Sequence, residues 1–131
     1  MGANNSRNSE EFIAECKKKV RKEVSDYPIT IFTRSNDEPS HKAMDLLIDQ
    51  GFRFKEKDLQ LIYDSNHDTS RDLWNGLVHE TGRNVTPHIF VCGNYIGGYK
   101  ELNELVKEKE LLGAVRECWM QYDNNPQAKF Q

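Results

Sequence analysis

The stretch from Asn84 to Leu102 constrains this chain more than any other. Pro87 stands directly before His88-Ile89-Phe90-Val91-Cys92, a run rich in β-branched and aromatic residues, and Tyr95-Ile96 follows a Gly93-Asn94 dipeptide of the kind that turns a tight hairpin. Gly97-Gly98 then leads into a helical stretch from about Lys100 to Lys109. Two antiparallel strands followed by a helix are therefore expected here, and the segments before them supply the remaining elements.

Residues 1–8 are polar and rich in asparagine, with nothing apolar to anchor them, and are expected to form a disordered arm. Ser9-Glu10-Glu11 opens a helix whose buried stripe is Phe12, Ile13, Cys16, Val20 and Val24. Asp26-Tyr27-Pro28 closes it, and Ile29-Thr30-Ile31-Phe32 reads as a strand. The segment Arg34 to Ser40 is dense in helix-capping residues; the helix that follows carries Ala43, Leu46 and Leu47 inward and stops at Gly51. Phe52 to Leu59 alternates and reads as a second strand. Leu73, Trp74, Leu77 and Val78 mark a helix between His67 and Gly82, and a last helix starts at Glu110. The order is helix, β-α-β, α-β-β-α and a terminal helix. It implies an α/β fold with a central mixed sheet flanked by helices on both faces. Residues 9–122 form the domain, between the arm and a flexible tail over 123–131.

With 131 residues, 37% of them hydrophobic and 30% charged, the chain suits one soluble domain. Its net charge of −3 is unevenly placed. Residues 1–22 hold six basic and three acidic side chains, which leaves twelve and eighteen for the rest. The acidic body argues against nucleic acid as a partner. The basic cluster of Lys17, Lys18, Lys19, Arg21 and Lys22 reads as the solvated face of the first helix, or as a contact with an anionic membrane. Met1-Gly2-Ala3-Asn4-Asn5-Ser6 matches the N-myristoylation pattern, with Gly2 as acceptor and the basic cluster as the second signal that stable attachment requires. No run approaches the roughly 20 apolar residues that span a bilayer, so a cytoplasmic protein is expected, peripherally attached if Gly2 is acylated. Cys16, Cys92 and Cys118 show no C-x-x-C pair and no metal-ligand spacing. They read as reduced thiols, and the four scattered histidines suggest no metal.

The element order, with proline before the hairpin and Gly-Gly after it, resembles the glutaredoxin branch of the thioredoxin-like fold, including its extra N-terminal helix. The resemblance covers about residues 9 to 120. It is most specific over Asn84 to Leu102, and Lys109-Glu110-Leu111-Leu112 looks like the family's last inter-helix turn. It implies that Pro87 is cis, with Thr86 offering a backbone edge to an extended peptide such as glutathione. It further implies that Gly98, Tyr99, Lys100 and Glu101 open a helix suited to the γ-glutamyl carboxylate, and that Arg34 stands where the family carries a lysine for the glycyl carboxylate. The family's Cys-Pro-x-Cys falls on Asp37-Glu38-Pro39-Ser40, or, with the prolines superposed, on Glu38-Pro39-Ser40-His41. Neither register holds a cysteine. A carboxylate can cap the helix but cannot form a mixed disulfide, and the family's iron–sulfur cluster takes a ligand from the same cysteine, so both chemistries are expected to be lost. The expectation is a non-catalytic module binding glutathione, as a ligand and not a required cofactor, or an extended protein segment. The alternative is a glutathione-dependent enzyme, with residual oxidoreductase activity or with Ser40 or Ser35 hydrogen-bonding the thiol in a transferase-like manner.

Overall fold

The sheet is organised around its most apolar strand. In the computed structural model, which describes the backbone of residues 2–123 and the side chains of residues 9–121, Ile29–Thr33 (β1) is buried at every position. Parallel β2 (Lys55–Asp58) flanks it on one side and antiparallel β3 (His88–Val91) on the other, with β4 (Asn94–Gly97) outside β3. Ile31 pairs with Ile89 and Ile29 with Val91. Because strand side chains alternate between faces, β1 and β3 feed two separate cores. Ile29, Ile31, Ile89 and Val91 pack under α2 (Glu38–Asp49), α5 (Tyr99–Lys107) and α6 (Leu111–Asp123). Phe32 and Phe90 meet edge to face at 5.9 Å on the opposite side. There they lie against α1 (Gly2–Val24), α3 (Leu59–Ser65) and α4 (His67–Thr81) through Val20, Leu59, Leu73 and Leu77. Each such buried side chain contributes about 1.5–3 kcal/mol.

Helix α1 docks on α4 by backbone contact. A Cβ on Gly76 would collide with the Cys16 carbonyl and come within 2.8 Å of Val20 Cγ2, so only glycine admits this approach. Cys16, Val20 and Val24 fill the seam as the apolar stripe predicts, whereas Phe12 stays 38% exposed. Two cations of the basic cluster are neutralised within the domain: Lys19 pairs with Asp72 at 2.5 Å and Arg21 with Glu80 at 3.3 Å, both on α4. The arm expected over residues 1–8, the acylation site Gly2 and the tail expected over 123–131 lie outside the described side chains.

Several expectations are corrected. The second strand is confined to Lys55–Asp58, because Phe52 and Phe54 turn into the core after Gly51 takes a left-handed φ of 84°. Asp58 ends that strand by capping the unpredicted helix α3, accepting from the Gln60 and Leu61 N–H groups at 2.9 and 3.3 Å. The hairpin turns on Cys92-Gly93, one residue earlier than Gly93-Asn94, with φ of 52° and 81° at the two positions, while Asn94 joins the ladder opposite Val91. The reading of three reduced thiols is also overturned. Cys92 and Cys118 form a disulfide across 26 residues, with a Cα–Cα distance of 5.6 Å, and Cys16 is the free cysteine. Neither spacing nor motif announces this bond, since only the packing of α6 beside the hairpin tip brings its halves together.

Candidate functional site

At the end of β1 the chain leaves the sheet through Arg34-Ser35-Asn36-Asp37, closed by Asp37 N–H donating to the Arg34 carbonyl at 3.0 Å. Asp37 then caps α2 from extended backbone. Its Oδ2 accepts from the Ser40 N–H at 3.0 Å and from the Ser40 hydroxyl at 2.6 Å, and Ser40 is fully buried. Asp37 and Ser40, which hold the two cysteine positions in the first of the two registers, thus bond to each other, and the amide at the start of α2 is satisfied by a fixed carboxylate. No cysteine occurs between Cys16 and Cys92 in sequence. The loop is pinned on both sides: Ser35 donates its hydroxyl to Asp58 Oδ2 at 2.7 Å, and His41 Nε2 lies 2.7 Å from the Ser35 carbonyl.

Arg34 is exposed, and among the described residues no carboxylate pairs with it. Its guanidinium lies 4.7 Å from the centroid of the Trp74 ring, a cation–π contact that holds the side chain without using its N–H donors. Beside it, Arg34, Ser35, Asn36, Asp37 and Gln60 line a cavity of about 240 Å³. A larger cavity of about 630 Å³ lies between α1 and α4, away from this loop, where the Lys19–Asp72 pair already occupies the polar groups.

The Thr86–Pro87 peptide is cis, and both residues are buried at the start of β3, where His88 pairs with Phe32. That register brings Thr86 and Pro87 to the same end of the sheet as Arg34 and Asp37. Gly98 joins them: a Cβ there would stand 3.3 Å from the Pro87 carbonyl oxygen. The concavity expected at Gly98 holds the chain's own carboxylate, since the Gly98 N–H donates to Glu101 Oε1 at 2.8 Å. Arg83 grips Glu101 through two bonds of 3.2 Å, and the guanidinium together with the Gly98 N–H pulls the Glu101 carboxyl down to about 2. This leaves the first-turn N–H groups of Tyr99 and Lys100 for an outside anion. Lys100 is exposed, but the Tyr99 side chain packs on the core, with Lys42 Nζ 5.9 Å from its ring centroid.

Arg34, Asp37, Ser40, Thr86, Pro87 and Gly98 therefore converge, while Glu101 serves the scaffold. Trp74, Asp58 and Gln60 are not among the site residues named from the sequence. Trp74 carries a helical-stripe signal there and nothing that assigns it to the groove. Behind it His88 is fully buried and edge-on to Trp74 at 5.7 Å, with burial pushing its imidazole down to about 4, so the ring is neutral. Among the described residues no cluster could hold a metal ion, and no helix is long and apolar enough to cross a membrane.

A four-stranded mixed sheet of order β2-β1-β3-β4, with a cis-proline at the same sheet end as the N-terminus of α2, defines a thioredoxin-like protein. No family model matches the chain. It is 28% identical to mitochondrial glutaredoxin-2 of Homo sapiens, over 92% of this chain and 70% of that protein. It is also 28% identical to glutaredoxin-C1 of Arabidopsis thaliana, over 83% of each. The holo form of glutaredoxin C1 from Populus tremula x tremuloides superposes with a TM-score of 0.72 at 25% identity, covering 82% of this chain and 92% of that one. A buckwheat glutaredoxin–glutathione complex shares the fold with a TM-score of 0.72 at 21% identity, over 84% and 96%. In sequence and in fold the chain is thus similar to glutaredoxins.

Proposed function

We propose that the groove between the α2 N-terminus and Thr86–Pro87 is a non-covalent receptor for glutathione or an extended protein segment, and that the chain is a binding module without thiol–disulfide oxidoreductase activity. Asp37 carries this reading. Thiol exchange needs a thiolate stabilised by the helix N-terminus and free to bond to sulfur. Here a carboxylate already bonded to Ser40 takes that place. Binding needs a cation with free donors, and Arg34 supplies it beside an open cavity. The glutathione complex of the similar buckwheat protein supports glutathione as the ligand. The transferase-like alternative has less support: the Ser40 hydroxyl is buried on Asp37 and the Ser35 hydroxyl is donated to Asp58, so neither faces a bound thiol with a proton to give.

Titration calorimetry with glutathione should show saturable binding that Arg34→Ala weakens about tenfold or more, since charged hydrogen bonds contribute about 1.5–3 kcal/mol. In a coupled assay with a small mixed disulfide the unmodified chain should run at background rate and Asp37→Cys above it. Turnover by the unmodified chain would overturn the reading, and a silent titration would remove glutathione in favour of a protein segment.

A further inference from the structure

The disulfide lies at the far end of the sheet from the groove. Cys92 sits on the hairpin tip, where its N–H donates to the Pro28 carbonyl at 2.7 Å just before β1 begins. Asp37 follows the other end of that strand. Cys118 reaches Cys92 from α6 and is 8% exposed, whereas Cys92 is half-buried, so an incoming thiolate meets Cys92 first.

We propose that Cys92–Cys118 is a reversible thiol–disulfide exchange site, reduced by a low-molecular-weight thiol such as glutathione, which fastens and releases helix α6. The inference is independent of the groove. A thiolate RS⁻ attacks Cys92 Sγ, the Sγ–Sγ bond breaks, and Cys118 leaves as thiolate and takes a proton from water. A second RS⁻ attacks the sulfur of the bound R group and releases RSSR, and Cys92 takes up a proton. Two electrons pass from two thiols to the protein disulfide.

Three observations support a reversible couple over a permanent staple. Reduction leaves no buried thiol without an acceptor: the Ala114 and Val115 carbonyl oxygens lie 3.3 and 3.4 Å from Cys92 Sγ, and the Val115 carbonyl oxygen is 3.7 Å from Cys118 Sγ. Cys92 holds a left-handed φ of 52° in a two-residue turn, where glycine or asparagine is the inexpensive choice, so cysteine at this position calls for a role beyond the turn. Helix α6 is also lightly held. Among the described residues its buried side chains are Leu111, Val115 and Cys118, while Leu112 and Met120 are 48% and 73% exposed. Breaking the bond loosens this last element and leaves the sheet and the groove in place.

The test uses the full chain, purified without reductant and equilibrated with defined glutathione to glutathione-disulfide ratios. Alkylation under denaturing conditions with intact-mass detection should count one free thiol in the oxidised protein and three in the reduced one, with a glutathione adduct mapping to Cys92 between them. Reduction should lower the Tm by about 10 °C, from a closed loop of 26 residues, and reoxidation should restore it. Hydrogen exchange should quicken in α6 and stay unchanged in α4. Cys16→Ser should count no free thiol when oxidised and two when reduced and keep the drop in Tm on reduction, and Cys92→Ser/Cys118→Ser should show the lower Tm at every ratio. Three free thiols in protein never exposed to reductant, a bond that resists excess glutathione, or reduction that leaves both Tm and α6 exchange unchanged would each overturn the proposal.

Discussion

Replacing Asp37 probes the side chain on which the proposed binding role rests, and the structure sets the size of the effect. Asp37→Ala removes the acceptor of the Ser40 N–H, a cap loss of about 1 kcal/mol. It also strands the Ser40 hydroxyl, which is fully buried and has Asp37 Oδ2 as its partner, at a cost of about 1–3 kcal/mol. The lost charge at the helix N-terminus adds about 0.5 kcal/mol, for a total near 3 kcal/mol. Ser40→Ala removes the hydroxyl instead and leaves the cap to the N–H intact, costing about 1 kcal/mol. In the double variant no hydroxyl is left to be stranded, so the total falls to about 2 kcal/mol, well below the sum of the single changes. Urea denaturation of the four proteins at a common m-value reads these differences. Asp37→Asn, which keeps an acceptor, should lose under about 1 kcal/mol. Additive single changes, or a loss under about 0.5 kcal/mol for Asp37→Ala, would refute the coupling and with it the claim that the carboxylate is committed to the helix.

Acid should reveal His88. Its imidazole ordinarily titrates near 6.5 and in the fold near 4, so below 6.5 the unfolded chain takes up a proton that the folded chain refuses, and stability falls with pH from 6.5 to about 4. At pH 5 the loss from this group is at most about 2 kcal/mol, and His88→Leu should flatten that part of a stability–pH curve; an unchanged slope would refute it. Gly76→Ala should destabilise by about 3 kcal/mol or more, because the added methyl meets the Cys16 carbonyl across the α1–α4 seam; a variant with the melting temperature of the unmodified chain would show that the seam yields.

What the sequence makes legible here is what local chemistry determines. The cis bond at Pro87 and the helix start at Gly98 follow from the family resemblance, whereas the cap at Asp37 follows from residue type and spacing before an apolar helix. The hairpin register slipped by one residue because a Cys-Gly turn places a side chain where the rule expects asparagine or glycine. Helix α3 is too short to show a period, and Asp58, which starts it, looks in sequence like one more charge in Lys55-Glu56-Lys57-Asp58. Residues that act through tertiary contact stayed hidden. Trp74 meets Arg34 across 40 positions, and Cys92 meets Cys118 across 26. Glu101 shows the opposite case, a residue assigned to the groove by resemblance whose carboxylate is instead held by Arg83 and Gly98.

The stacking of Arg34 on Trp74 also makes the molecule its own instrument. The chain has two tryptophans, one beneath the cation at the groove and the other, Trp119, next to Cys118 on α6. Each end of the sheet therefore carries one natural fluorophore. An anion arriving at Arg34 changes the charge directly above the Trp74 indole, whereas a change in α6 alters the surroundings of Trp119. With either tryptophan replaced by phenylalanine, the emission of the other follows a single end, so the two ends can be watched separately in one solution without any attached label.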